Sequence, residues 1–575
     1  MTDKRKRFRF FAVLLAGIGV LAIFIVCLVK FMPTGKHMTS EEYFGQLGET
    51  EAAVVVEDHI AQERALIQDG NVYIDYTLVE RELNSRFYWD ASASLLLFTT
   101  PTQTFEIAPN TSSYTIDGES FDAGYDILRT TSSGMFLAMN FMQQYSDLIC
   151  AVYDTPSRVV ITYGSESVTT AELKGDTAVR YRGGIKSPII TEATGGSIVT
   201  VLDQMDKWSQ ILTADGYIGY VKNSRLKGIA TTTRDTVYAS PDYTSIHMDG
   251  KVNLVWHQIN YAEMNSEFAS DTEAVTGVNV ISPTWYFLQN NEGDIESFAD
   301  ASYVEAAHAK GMQVWALISN FSEDVNTSTL LASRAARQKV QNYLVSQAQE
   351  LGFDGINIDF EGIAQEAGYA YVQFMRELSI LCRKSGIVLS VDVPVPMDFS
   401  KHYNRKELGT VCDYVIMMGY DEHYAGSDLV GSVASMEFER TGIENSLTEV
   451  SKEKLISAIP FYTRLWYTQT AEDGSTSVTS EALGMESAQQ KLTENGVTST
   501  YDEATEQQYA EWTDAEGRFC QVWLEDQDSV TKRASLVKST SLAVLPSGCL
   551  EISRTGYGRL FLQILDSTCL DADKH

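Results

Sequence analysis

From Val252 onward, apolar runs alternate with helix-patterned stretches, and this alternation restricts the possible folds more than any other feature of the chain. Seven runs read as strands in order: VNLVWHQI, GVNVISPTWYFL, MQVWALISNF, FDGINIDFE, IVLSVDVPVP, CDYVIMMGYDEH and LISAIPFYTRLW. Helical spacing separates them, most clearly at 335–351 and 369–383, where Tyr371, Phe374, Leu378 and Leu381 share one face. Strands regularly separated by helices mark a parallel α/β sheet. With an eighth strand expected near Leu542, the remaining roughly 320 residues suit a (β/α)8 TIM barrel.

The fourth run carries the acidic groups. In LGFDGINIDFEG (351–362), Asn357, Asp359 and Glu361 are two residues apart and point to one side of a strand, whereas Ile358 and Phe360 point to the other. Two carboxylates and an amide facing inward are costly to bury without a purpose. In a parallel barrel, the C-terminal end of a strand is where chemistry sits.

Asp354, Asp359 and Glu361 resemble the Asp-x-x-Asp-x-Asp-x-Glu signature of glycoside hydrolase family 18, the chitinase-like family. The wording FDGINIDFEG is similar to the branch that contains spore-cortex and peptidoglycan N-acetylglucosaminidases. The resemblance implies substrate-assisted, retaining hydrolysis. Glu361 is then the general acid and later the base. The sugar's 2-acetamido oxygen is the nucleophile, and Asp359 orients the acetamide N–H. A charged Asp359 is expected to raise the pKa of Glu361. Asn357 stands where many members have an inner aspartate; an amide cannot share a proton, so Asp359 is expected to ionise more readily. Met418-Gly-Tyr-Asp421 resembles the family's Met-x-Tyr-Asp strand end, which gives Tyr420 the acetamide oxygen and Asp421 the sugar site. Trp285, Asn320, Arg464 and Trp466 are candidates for sugar contacts at strand ends, and the aromatic ones serve equally well as core residues. In related barrels, a segment such as 468–520 is a small inserted subdomain walling the cleft. No cofactor and no metal is implied.

The rest of the chain suggests an exported, modular protein. A net charge of −33 argues against nucleic acid as a partner, because phosphate binding needs a basic surface. The seven cysteines form no CxxC pair, and Cys382 and Cys412 read as small core residues. A cytoplasmic tail (1–9) with Lys4, Arg5, Lys6, Arg7 and Arg9 precedes an uncharged apolar run at 10–29, long enough for a transmembrane signal anchor. The expected localisation is therefore the cell membrane, single-pass, with the catalytic part outside; a cleaved signal peptide is the alternative. Residues 30–70 read as a polar stalk with helical tendency around 51–67, and 71–165 as a small β-rich domain. NVYIDYTLVERELNSRFYWD loosely resembles a copper-amine-oxidase N-terminal-like stalk domain, with no metal carried over. Residues 175–227, with Trp208 and DGYIGYV, resemble a bacterial SH3-like domain anchored by Val199, Val201, Ile211 and Ile218, either a wall-binding module or a spacer. The barrel is expected at 250–575.

The tail is anomalous. No tryptophan follows Trp523, and 538–575 loses strand and helix pattern. With suitable codons, a one-base shift yields a peptide containing a strand, a tryptophan and a closing helix, so a frameshift is the working hypothesis there. The function read from the chain is a membrane-anchored glycosidase acting on N-acetylated polysaccharide, peptidoglycan or chitin-like. A non-catalytic sugar-binding barrel and a chitinase remain open alternatives.

Overall fold

The computed structural model describes residues 8–11, 13–15, 17–20 and 30–540, apart from Asp235, Val237, Ala274 and Asp428. The chain divides into two compact units, one from Met1–Phe87 and Glu106–Ser240, the other from Tyr88–Phe105 and Pro241–His575.

The first unit holds two seven-stranded sheets. One begins with Glu51–Val56 and His59–Gln68, paired antiparallel, so the helical tendency expected for 51–67 is corrected to strand. All five residues from Ala52 to Val56 are buried, and a strand buried on both faces shows no alternation to betray it. Its three valines also favour the pleated conformation. Gln68 then pairs with Asn71 across a turn, so the boundary expected at residue 70 falls inside one continuous sheet. The other sheet runs from Ser167–Leu173 to Leu226–Thr233 and buries Val179, Val199, Val201, Ile211 and Val221. Ile218 and Trp208 are only half-buried.

The expected single-pass membrane localisation is corrected: among the described residues, no helix is long and apolar enough to cross a membrane. Crossing takes roughly 20 apolar residues in one helix. The helical residues described within 10–29 are 10–11, 13–15 and 17–20, and the rest of that run lies outside the described residues.

The second unit contains seven parallel strands in sequential order: β1 (Leu254–His257), β2 (Val280–Leu288), β3 (Gln313–Ser319), β4 (Gly355–Asp359), β5 (Val388–Pro394), β6 (Tyr414–Met418) and β7 (Leu455–Ala458). All seven fall inside the runs read from the sequence. The eighth strand expected near Leu542 and almost all of the anomalous tail lie outside the described residues. Helices α1 (Arg334–Leu351) and α2 (Gly368–Ser385) flank β4. Ser333 caps the start of α1 by accepting the Ala336 N–H, and Gly352 ends it with a left-handed φ of 75°, which a glycine takes without strain. That turn aims β4 into the barrel. Ile356 and Ile358 then face the helix layer, packed in one cluster with Phe374 and Leu378 of α2.

After β7 the chain leaves the barrel. Helix α3 (Met436–Ser446) precedes β7. The inserted sheet has strands β8 (Tyr462–Thr470), β9 (Thr476–Gly484), β10 (Thr500–Asp502), β11 (Gln507–Thr513) and β12 (Phe519–Leu524), in the order β9-β8-β12-β11-β10. Helix α4 (Met485–Asn495) covers this sheet through Ala488 and Leu492. Helix α5 (Gln527–Ser539) returns to the barrel, where Arg533, wholly buried, reaches Glu439 of α3 at 2.6 Å and Glu525 at 2.7 Å.

Candidate active site

A cleft of about 360 Å³ opens where the barrel strands end. Ser319, Asp359 and Met418, the last residues of β3, β4 and β6, line it, as does Asp392 near the end of β5. Glu361, Tyr420 and residues 459–462 follow the strand ends; Glu361 completes the acidic side, while Trp256, Phe287, Phe321, Ile459 and Phe461 supply apolar faces.

Period-two alternation puts Asn357 and Asp359 inside the barrel. Asn357 is fully buried. Its Oδ1 accepts from Trp256 Nε1 at 3.1 Å and Ser282 Oγ at 3.2 Å, and its Nδ2 donates to Asp392 Oδ1 at 2.9 Å. The amide therefore serves Asp392 and makes no hydrogen bond to Asp359. Asp359 Oδ1 is buried without a hydrogen-bond partner.

The electrostatics also correct the expectation that Asp359 ionises readily. Burial first, and then the Glu361 charge, pushes the Asp359 carboxyl up to about 8. Burial, followed by Asp359, raises Asp392 well above the carboxylate range. Glu361 is raised as well, by the enclosing protein first and Asp421 second; Asp359 is not its main charged neighbour. The Glu361 side chain nevertheless remains open to the cleft. An acid with access to substrate and a raised pKa is suited to proton donation near neutrality.

Asn320 holds the Glu361 backbone from both sides. It donates to the Glu361 carbonyl at 2.8 Å and accepts the Glu361 N–H at 2.9 Å. Its side chain is thus spent on positioning Glu361. Tyr420 is half-buried, its ring edge-on to Tyr462 at 6.2 Å. Asp421 is exposed and accepts a hydrogen bond from the Tyr462 hydroxyl.

Four expected site residues lie elsewhere. Asp354 precedes β4 at the barrel's other end, where it binds His308 Nε2 and the Val314 N–H, each at 2.8 Å. Five residues of extended chain, about 16 Å, separate it from Asp359. Trp285 neighbours the cleft residue Thr284 on β2, so alternation turns it outward. It is fully buried, donates to Asn265 at 2.9 Å and packs on Tyr303. Arg464 and Trp466 belong to β8 of the insertion, because the barrel strand ends at Ala458. Arg464 bonds Ser480 of β9 at 3.1 Å, and buried Trp466 donates to the Gly431 carbonyl at 2.8 Å. Asp392, Trp256 and Tyr462 were not singled out from sequence. The lone acid in the apolar run IVLSVDVPVP was a visible signal for the first. Among the described residues, no group of three or more His, Cys, Asp or Glu side chains could hold a metal ion.

A parallel barrel whose C-terminal rim gathers an accessible acid beside buried carboxyls is the architecture of a glycoside hydrolase. Residues 239–545, more than half of the chain, match glycosyl hydrolases family 18, and the chain belongs to that family. Residues 175–227 match the bacterial SH3 domain. Similar proteins include the uncharacterized glycosylase YvbX of Bacillus subtilis (strain 168), 26% identical over 48% of this chain and 82% of that protein. The cortical fragment-lytic enzyme of the same organism is 25% identical over 39% of this chain, which spans about half (52%) of that enzyme. Among solved structures, the C-terminal domain of a candidate chitinase from Desulfitobacterium hafniense DCB-2 shares the fold, with a TM-score of 0.50 and 23% identity over 55% of this chain and 100% of that one.

Proposed function

We propose that this glycosidase hydrolyses N-acetylglucosamine-containing polymers, peptidoglycan or spore cortex, by substrate-assisted retaining catalysis. The observation that carries the proposal is the pairing of Glu361, open to the cleft with a raised pKa, with half-buried Asp359, whose buried Oδ1 lacks any protein partner. That bare oxygen is an acceptor for the acetamide N–H of a bound sugar. Glu361 gives its proton to the glycosidic oxygen while the acetamide carbonyl oxygen attacks the anomeric carbon from the other face. The Tyr420 hydroxyl donates to that acetamide oxygen and aligns it. The leaving sugar departs, and Glu361, now a carboxylate, takes a proton from the water that opens the cyclic intermediate. Two inversions at one carbon give net retention. The likeness to an enzyme named for cortical fragment lysis supports a peptidoglycan-type substrate.

The test compares the full chain on purified peptidoglycan, chitin oligomers and fully de-N-acetylated chitin oligomers. Reducing ends are expected from acetylated substrates alone. Equal cleavage of the deacetylated oligomer would falsify the mechanism, and cleavage of chitin but not peptidoglycan would reassign the enzyme as a chitinase.

The pH dependence carries a sign. Glu361 acts while protonated, so kcat/KM falls as pH rises through its raised folded-state value. Asp421→Asn removes a negative charge that holds that value up. The alkaline limb of the pH–rate profile is expected to move to lower pH in this variant.

A further inference from the structure

We propose that Asp392 on β5 shares a single proton with Asp359 and is the positioning residue that keeps Asp359 ready to accept the substrate's acetamide N–H. The proposal rests on the substrate-assisted reading above and adds a residue to it.

The strand register supplies the geometry. β4 and β5 pair in parallel with Asn357 opposite Ser390 and Ile358 opposite Val391. The next step along both strands sets Asp359 beside Asp392, on strands about 4.8 Å apart. Both residues line the cleft, and Asp392 is only 2% exposed. Two carboxyls held this close in a buried setting cannot both ionise, and one proton between them costs least.

The surrounding hydrogen bonds fix how that proton can lie. Trp256 Nε1 is a donor and nothing else, so the Asn357 atom that meets it is the carbonyl oxygen. The NH2 of Asn357 must then face Asp392 and donate to its Oδ1. Asn357 can neither take a proton from Asp392 nor reach Asp359 with a hydrogen bond. Trp256 also lies within hydrogen-bonding reach of Asp392, and Asp359, beside Asp392 on the neighbouring strand, presents a buried Oδ1 that no protein donor takes. The other titratable groups facing the pair are Glu361 beyond β4, Tyr420 beyond β6, Tyr371 of α2 and, towards Asp359, Tyr403. Of these only Glu361 can carry a negative charge near neutral pH, and it opposes a second charge in the pair; the tyrosine hydroxyls, raised by burial, stay neutral.

The consequence for turnover is specific. When the acetamide N–H docks, the shared proton moves from Asp359 to Asp392, leaving Asp359 an anionic acceptor. The pair keeps one proton and one negative charge throughout, with no exchange with solvent. An acid that could have stood at position 357 on β4 is supplied from β5.

The experiment uses Asp392→Asn and the swap Asn357→Asp/Asp392→Asn, which returns an acid to the pair from β4. In Asp392→Asn, kcat on N-acetylated oligomers is expected to fall about tenfold or more with KM within about threefold, and the swap is expected to recover most of the loss. Carboxyl 13C NMR of aspartate-labelled protein is expected to show two coupled titration steps in the wild type and one in Asp392→Asn. An unchanged titration of Asp359 in Asp392→Asn overturns the proposal. So does a loss of activity, with kcat and KM moving together, that the swap fails to relieve. The NMR readout needs no turnover: a wild type inert on acetylated substrates fails the mechanism above, while the titration still decides the shared proton.

Discussion

Glu361→Gln is expected to lower kcat on N-acetylated oligosaccharides by about 10²–10⁴-fold, with KM changed only a few-fold. Glutamine has the shape of glutamate, and the Glu361 side chain stands in the open cleft, so no packing is lost. The backbone clamp from Asn320 uses main-chain atoms and survives the change. What disappears is the proton for the departing oxygen and, later, the base for water. A leaving group that departs readily without protonation, such as a nitrophenol, should therefore lose far less in its first step than a sugar does. Steady-state kinetics on both substrate types, with unfolding curves showing an unchanged fold, measure the effect. Wild-type rates of reducing-end release from the variant would remove Glu361 from the role of acid.

Arg533→Leu is expected to destabilise the second unit by about 3–5 kcal/mol at neutral pH. The guanidinium is buried among Glu439, Glu525 and the Ala434 carbonyl, and joins α5 to α3 and to the residue after β12. Removing it leaves two carboxylates in the interior without a cation. Burial already raises both carboxyls above the glutamate range with Arg533 present. A carboxyl whose folded value lies above its unfolded value is stabilising while protonated, and that contribution is lost as pH rises through the folded value. The penalty in Arg533→Leu should accordingly be larger at pH 8 than at pH 5. Denaturant unfolding at the two pH values tests the sign. The triple variant with Glu439→Gln and Glu525→Gln should recover part of the loss, since no uncompensated charge remains. A penalty below about 1 kcal/mol at both pH values would show that water or rearrangement replaces the arginine.

The places where sequence reading failed share one cause. Residues 52–56 are apolar on both faces, so strand and buried helix look alike until the partner strands are known. Trp285 and Thr284 are adjacent in sequence yet belong to opposite sides of the barrel wall, and the sequence alone does not say which of two neighbours faces in. Arg464 and Trp466 read as an extension of a barrel strand because only three residues separate the end of β7 from the start of β8.

The sequence by itself determined the strand–helix alternation, the seven barrel strands and the inward face shared by Asn357, Asp359 and Glu361. These follow from periodicity and residue type, which are local properties of the chain. Only the tertiary structure decided that Asn357 serves Asp392, that Asp392 stands beside Asp359, and that Asn320 holds the Glu361 backbone. Those contacts join residues 33 to 41 positions apart in the chain. The register between neighbouring strands sets them, and register is a property of pairing that no single strand carries.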